Sequence, residues 1–259
     1  MTKALRRPLI AGNWKMNLDL QAGRGLVRAL RENLSDAAAD VAVCPPFTLL
    51  AAVAEELKGT PIRVGAQDLF WEKSGAYTGE ISAEQLSGVG CSVVLIGHSE
   101  RRRYFGETNE TVARKLESAL RANLMPIVCV GETLEEREGQ KTYRVLETQL
   151  RGALSGLAPT EAGKIVVAYE PVWAIGTGKT APPAQAQDAH LFIRKTLAAV
   201  FSPEASLAVR ILYGGSVKPD NIDALMAQPD IDGALVGGES LKPVSFLRII
   251  HFQSPAKTN

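Results

Sequence analysis

The sequence is that of an α/β protein, a single-domain (β/α)8 barrel over residues 1–259. Three observations predict it. Short apolar runs alternate with longer segments of helical spacing, eight times over. The runs are nearly all apolar, as strands covered on both faces are, and such alternation implies a parallel sheet. No linker or break in composition interrupts the 259 residues, a length that suits a closed eight-stranded barrel. A doubly wound open sheet is the runner-up. No Gly-x-Gly-x-x-Gly follows the first strand, so its dinucleotide-binding version has no support.

The elements follow in order. Strand one covers 8–14 and precedes a helix over 19–33, in which Leu20, Leu26, Val27 and Leu30 share a stripe with Leu34 just beyond. Strand two, 41–44, is closed by Pro45-Pro46, and a helix covers 48–57. Strand three, 62–66, opens a long loop over 67–81. Ser82 with Gln85 forms a capping box for a short helix. Strand four, 93–96, runs into a helical segment that His98 starts, and an amphipathic helix covers 108–122. Strand five, 127–130, follows Pro126. Thr133 with Glu136 offers a second capping box, and 143–154 is helical. Strand six covers 164–169, and Pro171 stops it because proline has no N–H for a ladder. A long helix covers 183–201. Strand seven is 209–213, with a short helix from Pro219 to 227. Strand eight is 233–236, and a closing helix covers 244–252.

Composition narrows the function classes. A formal net charge of +1, 46% hydrophobic and 22% charged residues give no footprint for nucleic acid or an acidic membrane surface. Cys44, Cys91 and Cys129 are odd in number and far apart. That argues against a disulfide framework or a zinc site and fits a reducing compartment. Neither a signal peptide nor a membrane span is expected.

The polar residues that follow the strands all fall at one end of a parallel barrel, where such barrels carry their chemistry. They are Asn13 and Lys15 after strand one, His98 and Glu100 after strand four, Glu170 after strand six, Gly214, Gly215 and Ser216 after strand seven, and Gly237 and Gly238 after strand eight. Paired glycines at the last two positions suit phosphate, because only glycine lets backbone N–H groups come close. His98 at a helix N-terminus should be a neutral donor. Glu100 and the arginines after it read best as a supporting ion-pair shell, while His190 and His251 read as structural. One carboxylate, one imidazole, one lysine and a phosphate cradle suit removal of a proton from carbon next to a carbonyl, with no metal or cofactor required.

The motifs Ala11-Gly12-Asn13-Trp14-Lys15-Met16-Asn17, Gly97-His98-Ser99-Glu100-Arg101-Arg102, the run from Ala168 through Thr180, Tyr213-Gly214-Gly215-Ser216-Val217 and Val236-Gly237-Gly238 together resemble the triosephosphate isomerase family over essentially the whole chain. The resemblance implies interconversion of dihydroxyacetone phosphate and glyceraldehyde 3-phosphate through an enediolate, in the cytoplasm, within glycolysis and gluconeogenesis. By similarity Glu170 is the base and His98 the electrophile. Asn13 and Lys15 hold the substrate, and Glu100 stands with this catalytic group. Gly176, Ser216, Gly237 and Gly238 bind phosphate. Pro171-Val172-Trp173-Ala174-Ile175-Gly176-Thr177-Gly178-Lys179-Thr180-Ala181 is a lid whose closure excludes water and keeps the enediolate from losing phosphate. The family's dimers imply a homodimer, with Phe70, Trp71, Tyr77 and Thr78 at the interface. Read alone, those loop aromatics could equally pack under their own barrel. One position departs from the family pattern: Glu239 stands where a small residue is expected, and should point outward to solvent or a cation. Another phosphate-binding barrel isomerase, which need not have the Asn-x-Lys, His and Glu set, and a silent scaffold, which should have lost Glu170, His98 or Lys15, are the rival readings; this sequence keeps all three.

Overall fold

The structure, a computed structural model, describes residues 6–34, 36–174 and 181–253. Eight parallel strands close into a barrel in sequence order. They are β1 (Leu9–Asn13), β2 (Asp40–Cys44), β3 (Ile62–Ala66), β4 (Val93–Ile96), β5 (Met125–Val130), β6 (Val166–Tyr169), β7 (Arg210–Tyr213) and β8 (Gly233–Val236). The closing pair sets Ile10 of β1 against Ala234 of β8.

The near-continuous apolar runs have a simple cause. Alternate residues face two different cores. Leu9, Ala11, Ala42, Cys44, Val93, Leu95, Ile127, Cys129, Val166, Ala168, Leu212 and Leu235 fill the barrel interior. The residues between them, such as Ile10, Val43, Val94, Val128, Val167 and Ile211, meet the helices outside. All three cysteines are buried free thiols.

Local signals placed most helix ends. Asp19 caps the helix Leu20–Asn33 by accepting from Ala22 N–H. The boxes at Ser82/Gln85 and Thr133/Glu136 both form. Several boundaries shift from expectation, and three of the shifts have a local cause. Residues Pro159–Lys164 form a 3-10 turn, so β6 begins at Val166. β5 takes in Pro126, which stands near its start and needs no donor there. The helix after β7 begins at Ile222, three residues past Pro219. At the opposite end of the barrel from the strand-end residues, buried Asp232 accepts from Arg6 Nε (2.8 Å), Arg194 (2.6 Å) and Ile211 N–H (3.0 Å). That network ties the start of β8 to β7 and to the long helix Pro183–Val200.

Candidate active site

Strand alternation decides what reaches the barrel mouth. Leu9 and Ala11 point inward, so Asn13, two residues on, does too. By the same count Val166 and Ala168 lead to Glu170, Leu212 to Gly214 and Leu235 to Gly237. These residues line one cavity of about 350 Å3 together with Lys15, His98, Gly215, Ser216, Gly238 and Glu239. The strand-end residues singled out in the sequence therefore meet, except Glu100, which lines a neighbouring pocket with Asn13, Lys15 and His98. Gly176 lies outside the described residues.

Glu170 is 2% exposed. One carboxylate oxygen accepts from Ser99 N–H at 2.9 Å, and the other lies 2.8 Å from His98 Nε2. Ser99 begins the helix Ser99–Phe105, so its N–H is one of the unpaired donors of a helix start. Burial alone would push the Glu170 carboxyl up. The His98 ring, the Ser99 N–H and Lys15 outweigh burial and hold it below its ordinary 4.5. A depressed carboxyl contributes stability above its unfolded value and loses it as pH falls through the folded value. A 13C NMR titration of Glu170, its signal identified with Glu170→Gln, should therefore give a midpoint below 4.5. A midpoint above that value would mean that burial wins.

His98 departs in part from the simple helix-start expectation. Glu100 N–H does point at Nδ1, at 3.2 Å. That bond needs a lone pair on Nδ1 and so places the ring proton on Nε2, facing Glu170. Burial also disfavours a cation. Against both, the Glu170 carboxylate beside Nε2 raises the ring's pKa above its ordinary value. The helix start fixes the tautomer, and the carboxylate raises the ring's affinity for a second proton.

Lys15 has a left-handed backbone, φ +52, which costs a residue with a Cβ free energy unless its surroundings hold it. Its N–H donates to Asn13 Oδ1 (3.0 Å). Gln67 Nε2 donates to its carbonyl (2.8 Å) and to that of Cys44 (2.9 Å). Its Nζ reaches Glu100 Oε1 at 2.6 Å, the ion-pair role read for Glu100. The ammonium is thus anchored at both ends of its side chain.

The glycines edge the cavity for two different reasons. A Cβ on Gly215 would lie 2.3 Å from Tyr213 Oη, and one on Gly214 3.0 Å from Glu170 Cγ. These two are required by packing around Glu170 and the end of β7. Nothing stands within 4 Å of a Cβ on Gly238, and only Lys15 Cε (3.7 Å) near one on Gly237, so this backbone is open to a ligand. The Glu239 carboxylate is held by Lys242 Nζ at 2.9 Å, the cation expected for it, while the residue itself still lines the cavity.

Of the lid, Pro171, Val172, Trp173, Ala174 and Ala181 are described, and Ile175, Gly176, Thr177, Gly178, Lys179 and Thr180 lie outside the described residues. Buried Glu132 holds the turn Val172–Ala174 that follows β6. Its Oε1 accepts from Trp173 Nε1 (3.0 Å), Tyr169 Oη (3.1 Å) and Arg137 (3.1 Å). Sequence reasoning missed Glu132 and Gln67. Both directly follow or nearly follow a strand, and the rule that found Glu170 would have found them at strands five and three.

The loop over 67–81 packs partly on itself. Phe70 sits 4.1 Å from Trp71 and 4.7 Å from Tyr77 between ring centroids, with the Arg114 guanidinium 4.1 Å over Trp71. Tyr77 and Thr78 at its outer end are exposed. Elsewhere Met16 is 95% and Phe105 67% exposed, and both line the Glu100 pocket with Phe47.

Comparison with known proteins agrees with this geometry. The family model for triosephosphate isomerase matches residues 8–253. The chain is 58% identical over 248 residues to the triosephosphate isomerase of Moorella thermoacetica, covering 96% of this chain and 99% of that one. It is 55% identical over 250 residues to that of Herpetosiphon aurantiacus, covering 96% and 100%, and 54% identical over 246 residues to that of Rhodopirellula baltica, covering 95% and 97%. A closed eight-stranded barrel, the residues gathered at its mouth and matches of this extent place the chain in the triosephosphate isomerase family.

Proposed function

We propose that the chain interconverts dihydroxyacetone phosphate and D-glyceraldehyde 3-phosphate, a step of glycolysis and gluconeogenesis. The observation that carries this reading is a buried carboxylate and an imidazole Nε2 in contact at 2.8 Å, beside a lysine, in a cavity edged by open glycine backbone. Glu170 takes the proton from the substrate carbon next to the carbonyl. The electron pair left behind moves onto the carbonyl oxygen, giving an enediolate. His98 Nε2–H and the Lys15 ammonium stabilise that oxygen. His98 gives it the Nε2 proton and takes the proton of the adjacent hydroxyl, so that carbonyl and hydroxyl change places, and Glu170 returns its proton to the former carbonyl carbon. To do this Glu170 exchanges its contacts with Ser99 and His98 for the substrate. Asn13 and Lys15 hold the substrate, with Glu100 supporting Lys15. The backbones of Gly176, Ser216, Gly237 and Gly238 receive the phosphate, and the lid from Pro171 to Ala181 closes over it.

A homodimer completes the reading. Exposed Met16, Phe47 and Phe105 surround a pocket of about 200 Å3 that shares Asn13, Lys15, His98 and Glu100 with the site. The exposed outer end of the loop, Tyr77 and Thr78, is the counterpart it would receive from a second copy, with Phe70 and Trp71 bracing that end. No described helix is long and apolar enough to cross a membrane, and buried free thiols fit a reducing cytoplasm.

The test is steady-state isomerisation of glyceraldehyde 3-phosphate without added metal or nucleotide, with sedimentation at the same concentrations. Turnover above about 10 s−1, the general enzyme median, by a species of twice the chain mass is expected. An inactive folded dimer would favour the scaffold reading, and an active monomer would remove the interface.

A further inference from the structure

Gln149 lies on the helix Thr142–Ala153, which packs on β5. Its carboxamide grips one residue twice. Gly131 N–H donates to Gln149 Oε1 at 2.7 Å, and Gln149 Nε2 donates to the Gly131 carbonyl at 3.1 Å. Gly131 is where the base-bearing turn leans on the barrel. A Cβ there would lie 1.7 Å from the Glu170 carbonyl oxygen, closer than any side chain allows. Its two neighbours carry the tethers of that turn. Val130 O accepts from Glu170 N–H at 2.8 Å, and Glu132 O accepts from Val172 N–H at 3.1 Å. The Glu132 carboxylate accepts from Tyr169 and Trp173.

We infer that Gln149 is a positioning residue for the reaction: by clamping Gly131 it sets where Glu170 and the first lid residues stand. This rests on the proposed isomerase activity. The clamp is well placed to matter, because the tripeptide 130–132 touches the base-bearing turn on one face and Gln149 on the other. A displacement of about 1 Å at a reacting group costs on the order of 100-fold in rate. Gln149 also lies in a polar cleft of about 660 Å3 shared with Arg102, Asn109 and Arg144. Water can reach that cleft and satisfy Gly131 when the carboxamide is gone. Losing the clamp should therefore loosen the turn without unfolding the barrel.

The test uses the full chain with Gln149→Met and Gln149→Glu, beside wild type. Methionine keeps the length and removes both bonds. For Gln149→Met, kcat should fall about tenfold or more with KM within about threefold. The share of turnovers that release inorganic phosphate should rise, because a misplaced lid lets the enediolate expel it by C–O cleavage. In Gln149→Glu a carboxylate faces the Gly131 carbonyl, and only its protonated form restores the donor. Its activity relative to wild type should rise as pH falls from about 7 to about 4, through the ordinary glutamate value of about 4.3. Wild-type kcat and phosphate release in folded Gln149→Met would overturn the inference. So would a Gln149→Glu ratio independent of pH, which marks a merely structural residue. An inactive wild type would instead defeat the isomerase reading itself.

Discussion

Glu170→Gln should lower kcat about 10³-fold or more while KM changes little, since a positioned general base contributes roughly 10²–10⁴. The substitution is nearly isosteric, and the structure shows why it should spare the fold. A glutamine oxygen can still accept the Ser99 N–H that now reaches Glu170 at 2.9 Å. The other half of the group loses its charge. That removes the acceptor 2.8 Å from His98 Nε2 and leaves nothing at this strand end able to take a proton from carbon. Without that carboxylate the His98 pKa should also drop back, because the Glu170 charge is what raises it against burial. Steady-state kinetics on both substrates, with circular dichroism as the fold control, reads the effect. Retained wild-type turnover would mean that another group is the base.

Lys15→Met should be comparably damaging, lowering kcat/KM by about 10³-fold, at the upper end for loss of one preorganised donor. The charge lost is also the charge that balances Glu100, 2.6 Å away. With methionine there, the Glu100 carboxylate stands unpaired beside the cavity proposed to take a phosphate dianion, so repulsion adds to the missing attraction. The backbone is not the cause of the loss. Methionine has a Cβ like lysine, and Asn13 and Gln67 hold the φ +52 turn through main-chain groups that the change leaves alone. A rise in KM with unchanged kcat would show that Lys15 only binds substrate. A fall in both kcat and kcat/KM is expected if it also stabilises the enediolate oxygen.

Much of this site was legible because a parallel barrel turns sequence position into place. Asn13, His98, Glu170 and the glycine pairs each end a short apolar run, and strand alternation carries them to the same mouth. The start of β6 was less legible, since Pro159–Lys164 forms a 3-10 turn and its last residue reads as part of the apolar run. Glu132 follows its strand by two residues and was open to the same rule. Gln149 was not legible. It sits 18 residues from Gly131 in mid-helix, where a glutamine usually reads as a solvated face. The charge balance of His98 was half legible. The helix start can be read locally, but the opposing carboxylate arrives from a strand more than seventy residues on. The loop aromatics are self-packed at Phe70 and Trp71 and exposed at Tyr77, a division that composition alone could not make.

Proton transfer by Glu170 is tested most directly by isomerising unlabelled dihydroxyacetone phosphate in D2O, with wild type and Glu170→Gln side by side, and locating deuterium in the product by NMR. A carboxylate base exchanges its captured proton with solvent, so wild type should place deuterium at C2 of glyceraldehyde 3-phosphate, and the variant should lose exchange and turnover together. A deuterium-free product from active wild type, together with undiminished turnover in Glu170→Gln, would mean that hydrogen passes directly between the two carbons, and would contradict the enediolate and the role of Glu170.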